Sequence, residues 1–227
     1  MSARLVIFDV DGTLVDSQRS ILAAMAHAFE AQGHAPPPEP EVLAVVGLSL
    51  LEAMRALAPH LPEAEAHALA GRYRERFTAE RASGGSEAEA PLYPGARAAL
   101  ERLAGRDGVL MGVATGKARP GLEHILASHD LRGFFATTQT ADAHPSKPHP
   151  SMLRAALAET GCGADLGVMV GDTEFDVAMG RAAGFATVAV AWGYHPRARL
   201  EAAGADMVIE TFDALDDALG RIWERAS

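Results

Sequence analysis

At 227 residues the chain has room for one large domain, or for a core domain plus a small insert. With 48% hydrophobic and 22% charged residues it reads as an ordinary globular protein, and no apolar stretch approaches the roughly 18 residues needed to span a bilayer. A net charge of −10 argues against nucleic-acid or anionic-membrane partners, which need a basic face, and means that any phosphate ligand requires a local cation.

Residues 4–10 are β-branched and apolar and predict a buried strand, broken by Gly12 and Thr13. From Ser17 to Gly33, Ile21, Leu22, Met25, Ala28 and Phe29 recur at helical spacing, with Ser17 in N-cap position and Gly33 in C′ position. Pro36 to Pro40 form a stiff connector. Two further helices are expected near 48–58 and 62–82, and Ser83-Gly84-Gly85-Ser86 reads as a flexible joint. Residues from about 16 to 85 thus form an all-helical block.

After residue 90 strands and helices alternate. Helix 95–104 leads to strand 109–115, helix 118–129 to a short strand near 134–139, and helix 149–160 to strand 167–171. Helix 174–183 leads to strand 186–191, and a strand near 206–209 and a helix 212–225 close the chain. This rhythm predicts an α/β fold, a parallel sheet with helices on both faces and an inserted helical block. The single cysteine, Cys162, excludes an intrachain disulfide, and the short run Leu5–Phe8 is no signal segment, so a cytoplasmic protein is expected.

An open parallel sheet binds ligands beyond the C-terminal ends of its strands. The polar residues at those ends are Asp9 and Asp11, Thr115, and Asp172. Asp9 and Asp11 are a carboxylate pair able to divide nucleophilic and proton-transfer roles. Thr115-Gly116-Lys117 opens a helix, where a hydroxyl and backbone N–H groups make an anion cradle. Lys147 sits among Pro145, Pro148 and Pro150, which limit its wandering. Only Lys117 and Lys147 are lysines among 20 basic residues, a hint that a compact point charge is wanted at those places. Asp172 and Asp176 add two more carboxylates. A close unpaired carboxylate pair costs about 4 kcal/mol at 4 Å and an effective dielectric near 20, so their convergence implies a cation, and oxygen-only ligands suit Mg²⁺. Each motif alone has a plainer use. Asp11-Gly12 makes a turn, Thr115 or Asp172 or Thr173 caps a helix, and a loop lysine faces solvent.

Taken together, the motifs resemble the haloacid dehalogenase superfamily of phosphatases, over essentially the whole chain and with the look of its phosphoglycolate phosphatase-like branch. Asp9-Val10-Asp11-Gly12-Thr13, Thr115, Lys147 and Gly171-Asp172…Asp176 match its four motifs in order. The resemblance implies a Rossmann-like catalytic core of residues 1–15 and 86–227 with a helical cap domain at 16–85. It implies Asp9 as nucleophile and Asp11 as proton carrier. Thr115, Gly116 and Lys147 would hold the phosphate, and Asp9, Asp11 (through its carbonyl), Asp172 and Asp176 would hold Mg²⁺. The substrate would be a phosphoglycolate-like small-molecule monoester. Cap residues Gly47 and Ser49 are substrate candidates, with Arg72, Arg74, Arg76 and Arg119 behind them. A monomer or homodimer is expected.

Other members fit less well. Dehalogenases lack the acid Asp11 supplies, and phosphonatases need a cap lysine that residues 16–85 do not contain. A β-phosphoglucomutase-like transferase carries an arginine where Leu50 stands. A pyrophosphatase, or an inactive regulatory binding module, completes the alternatives. His144 and His149 have no known zinc-ligand spacing.

Overall fold

The computed structural model describes residues 3–82 and 90–225, so the expected joint at Ser83–Ser86 lies outside the described residues. Among the described residues, six strands form one parallel sheet in the order β3-β2-β1-β4-β5-β6. They are β1 (Arg4–Phe8), β2 (Val109–Thr115), β3 (Thr137–Thr140), β4 (Gly167–Gly171), β5 (Ala186–Val190) and β6 (Met207–Ile209). Leu5, Val6, Ile7 and Phe8 are fully buried, as a central strand covered on both faces demands. Val6 and Phe8 face one apolar layer, with Leu100, Leu122 and Trp223. Leu5 and Ile7 face the other, with Met152, Leu153 and Met179.

The helices of the inserted block are α1 (Gln18–Ala31), α2 (Glu39–Ala44), α3 (Leu50–Leu57) and α4 (Glu63–Ala82). They enclose their own core of Met25, Phe29, Met54 and Leu69. The two segments joining this block to the sheet run side by side, with Asp16 N–H donating to the Pro91 carbonyl at 2.8 Å and Tyr93 N–H to Leu14 at 2.9 Å. The remaining helices are α5 (Ala96–Ala104), α6 (Arg119–Ser128), α7 (Ser151–Thr160), α8 (Glu174–Ala183), α9 (Arg197–Ala202) and α10 (Leu215–Arg225). Among the described residues, no helix is long and apolar enough to cross a membrane.

Several expected boundaries move for local reasons. The first strand ends at Phe8, because the Val10 carbonyl accepts from Thr13, Leu14 and Val15 N–H and turns the chain. The expected strand at 134–139 starts only at Thr137, since Arg132–Phe134 wind into a 3₁₀ turn. Two short helices escape the sequence reading. Both α2 and α9 begin beside a proline (Pro40 at an N-terminal position, Pro196 as the N-cap), and for α2 the prolines from Pro36 to Pro40 suggest only a connector.

Candidate active site

The turn after β1 brings the first motif into contact with the end of β4. Gly12 has φ of +82°, and a Cβ there would lie 2.2 Å from Asp172 Oδ2, so glycine is required twice over. Thr13 Oγ1 donates to Asp172 Oδ1 at 2.8 Å, and Tyr194 N–H donates to Asp172 Oδ2 at 2.9 Å. Asp172 is thereby fixed from both sides and does not cap a helix. Thr173 does that for α8, in a reciprocal box with Asp176.

Asp9, Asp172 and Asp176 each place a carboxylate oxygen within 4.8 Å of the others, and all three are buried. Lys147 Nζ lies 2.9 Å from Asp9 Oδ2 and 2.7 Å from Asp176 Oδ1, itself only 1% exposed. Burial pushes the Asp9 carboxyl up to about 7, against the opposing pull of Lys147. Burial, then Asp176 and Asp9, push Asp172 up as well. Burial alone would lower the Lys147 ammonium, but Asp176 and Asp9 outweigh it and hold it above its ordinary value.

With all three carboxylates ionised against one ammonium, two negative charges would be unmatched in a buried place, and the raised Asp9 and Asp172 express that cost. Asp9 Oδ1 is buried with no hydrogen-bond partner among the described residues. An orphaned oxygen, an all-oxygen donor set and an excess of two charges together fit a hard divalent cation.

Asp11 stands apart from this cluster, so the expected convergence of four carboxylates is one of three. Its Oδ1 accepts from the Ser17 hydroxyl, and its Oδ2 lies 3.0 Å from Lys117 Nζ. Ser17 therefore makes no side-chain cap for α1. Its hydroxyl also meets the Tyr194 hydroxyl at 3.2 Å. Lys117 sits 5.6 Å from the centroid of Phe77 on α4, in range of a cation–π contact. Both lysines of the chain thus stand at carboxylates of this site.

Thr115 is not an N-cap, because Ala118 holds that position for α6. Thr115 Oγ1 instead accepts from Lys117 N–H at 3.2 Å. A Cβ on Gly116 would meet the Leu48 carbonyl at 2.5 Å, so this glycine lets the helical block approach the sheet. Gly47, at φ of +102°, carries the loop that makes this contact, and Ser49 N–H donates to Ser146 Oγ at 2.8 Å. Arg119 turns away from the site, donating to Thr138 Oγ1 at 2.6 Å, and Arg72 pairs with Glu75 on the surface at 2.9 Å. Arg74 lines the cavity between the block and the sheet. His144 bonds Gln139 and Ser151, and His149 takes the Ser151 N–H at 3.2 Å, so each has a structural use.

Asp9, Asp11, Thr115 and Gly116 form the floor of that cavity, of about 510 Å³. Lys147 is not part of its lining and reaches the floor from beneath, through Asp9. Sequence reasoning gives Thr13 no role beyond its motif, reads Ser17 as an N-cap, and passes over the segment Trp192–His195. The segment follows β5, another strand end, so the rule that selected Asp172 would have found it. A Cβ on Gly193 would lie 2.1 Å from that of Asp172. His195 Nδ1 accepts from Glu174 N–H at 3.1 Å while Nε2 meets the Ala44 carbonyl at 3.1 Å, joining α8 to α2.

Residues 6–190 match the haloacid dehalogenase-like hydrolase family. The chain is 34% identical over 211 residues to the probable phosphatase IndB of Dickeya dadantii, covering 92% of this chain and 90% of that protein. It is 34% identical over 226 residues to a phosphoglycolate phosphatase of Rhodospirillum rubrum, covering 96% and 91%. The fold is shared with a hydrolase from Pseudomonas syringae, at a TM-score of 0.83 and 24% identity over 97% of this chain and 99% of that one. The chain belongs to the haloacid dehalogenase-like hydrolases, in their phosphoglycolate phosphatase-like branch, and its aspartate cluster on this fold makes it a phosphatase.

Proposed function

We propose that the protein hydrolyses a small-molecule phosphate monoester through an aspartyl-phosphate on Asp9, with Mg²⁺ as the cation. The observation that carries this reading is Asp9 itself: one oxygen held by Lys147, the other buried without a partner among the described residues, at the floor of a cavity. In the first step an Asp9 oxygen bonds to phosphorus as the ester P–O bond breaks, and Asp11 gives its proton to the departing alkoxide. In the second, Asp11 takes a proton from water, whose oxygen attacks phosphorus. The Asp9–phosphate bond breaks and inorganic phosphate leaves. Ester and water become alcohol and phosphate, and Asp9 and Asp11 end as they began.

Asp9, Asp172 and Asp176, with the Asp11 carbonyl, would hold Mg²⁺, which when bound neutralises charge on the phosphoryl oxygens. Thr115 and the Gly116 backbone hold phosphoryl oxygens, and Lys147 fixes the Asp9 carboxylate and offsets its charge. Ser17 and Lys117 aim the Asp11 carboxyl. Residues 1–15 and 86–227 act as a catalytic core domain and 16–85 as a cap domain, with the Gly47 and Ser49 loop presented to the substrate. Phosphoglycolate, which the Rhodospirillum rubrum relative is named for, is the reference substrate. Leu50, in the cavity lining, stands where a mutase carries an arginine, which favours hydrolysis over transfer. We place the enzyme in the cytoplasm as a monomer or homodimer, without nucleic-acid partners.

Asp9→Asn tests the chemistry. Turnover of any phosphomonoester should fall by at least about 10⁴-fold, the scale on which enzymic nucleophiles act. The melting temperature should hold or rise, because one buried negative charge is removed from a cluster with an excess. Wild-type activity should vanish on chelation and return with Mg²⁺. Retained turnover in the variant would sink the covalent route.

A further inference from the structure

The reading above leaves open what alcohol leaves, and the cavity speaks to that. Above the phosphate floor its wall comes from the helical block. Val45, Val46, Leu50, Leu51, Tyr73 and Phe77 supply aliphatic and aromatic surface from three directions. The cations in the lining are Arg74 and Lys117. Arg74 is exposed at the rim. Lys117 is already paired with Asp11 at 3.0 Å and covered by the Phe77 ring.

A short acidic alcohol such as glycolate would bring a carboxylate to this wall. The lining offers that carboxylate the exposed Arg74 and Lys117, which the Asp11 side chain already takes at 3.0 Å, so among the described residues the added charge would be desolvated without a buried cation of its own. The size points the same way. A cavity of about 510 Å³ lies within the range that encloses drug-sized ligands, far more than two carbons fill.

We infer that the natural substrate, on the phosphomonoesterase reading above, carries a bulky and mainly apolar alcohol portion, buried against α3, α4 and the residues after α2. The phosphate is read by the floor, and the leaving group is selected by apolar contact with the cap.

The test is phosphate release by the full chain with Mg²⁺ from ethyl, butyl, hexyl and octyl phosphate and from 2-phosphoglycolate. Unbranched alkyl leaving groups keep nearly the same basicity from ethyl upward, so the series isolates burial from bond strength. Burial predicts that kcat/KM rises about fourfold per added methylene until the cavity is filled. It predicts that 2-phosphoglycolate, the carboxylated counterpart of ethyl phosphate, is turned over less efficiently than ethyl phosphate. A profile that is flat or falls with chain length would overturn the inference, as would 2-phosphoglycolate exceeding ethyl phosphate. Either result leaves the hydrolase reading standing. Release from none of the five esters would instead remove that reading, and the inference with it.

Discussion

The floor and the roof of the cavity are built on opposite terms. At and beneath the floor four buried charged groups gather: Lys147 pairs with Asp9 and Asp176, and Asp172 is held by Thr13 and Tyr194, from the turns after β1 and β5. In the roof, the wall from α3, α4 and the end of α2 is mostly apolar side chain, and it meets the floor through backbone at Gly47 and Leu48. The contrast separates two jobs. Groups that handle phosphoryl charge must be fixed to fractions of an ångström by directional bonds. A surface that selects an alcohol by contact needs only volume and polarity, and can vary without harming the chemistry.

The strongest way to break the comparison is to uncharge the floor. Lys147→Met keeps the length of the side chain and removes its ammonium. Asp9 and Asp176 would then face each other and Asp172 with no countercharge from the chain. Removing one partner of a buried pair costs roughly 3–5 kcal/mol, so the metal-free protein should melt at distinctly lower temperature. Turnover should fall by roughly 10³-fold, since Asp9 loses the group that orients it. Mg²⁺ should recover part of the melting loss by supplying countercharge. An unchanged melting temperature, measured by calorimetry without metal, would show that the floor does not depend on this ion pair.

The next test strikes the joint between the two regions. Gly116→Ala puts a methyl 2.5 Å from the Leu48 carbonyl, which must retreat. The Mg²⁺ concentration for half-maximal activity should stay put, because no carboxylate of the cluster touches this site. kcat/KM should drop by about 10²-fold, the usual cost of a displacement near 1 Å in a reacting geometry. Equal loss of metal affinity and turnover would mean that floor and roof do not separate as argued.

The same contrast explains what could be read from the residues alone. Asp9, Asp172, Thr115 and Lys147 were legible because each stands at a strand end or among prolines, and strand ends follow from apolar runs. The scarcity of lysine marked Lys147 and Lys117 independently. Ser17 was not legible. A serine before a helix reads as a cap, and only the turn around Val10 brings the Asp11 carboxylate to its hydroxyl. Likewise the isolation of Asp11 from the other carboxylates depends on where Lys117 and Ser17 lie, which no spacing encodes. The roof was least legible, since apolar residues at helical spacing look the same whether they face a helical core or a cavity. Met25 and Val42 belong to the core of the helical block, yet both also line the cavity.

The smallest expected effect concerns His195, which ties the floor's α8 to the roof's α2. Nδ1 accepts from Glu174 N–H, so the proton sits on Nε2 and is donated to the Ala44 carbonyl. A second proton would turn Nδ1 into a donor facing a donor. Burial, then Arg199, holds the imidazole below its ordinary value of 6.5, with the Ala44 and Glu174 contacts opposing in part. The unfolded chain therefore takes up the proton first as pH falls. The contribution of this group to stability is complete above 6.5 and is lost as pH drops through that value towards the folded one. Melting temperatures recorded from pH 7.5 down to 5.5 should fall, and His195→Gln should fall less steeply over the same window. The variant keeps an amide able to donate to Ala44, so its turnover at pH 7.5 should change by less than about tenfold. Parallel melting curves for the two proteins would assign the acid sensitivity elsewhere.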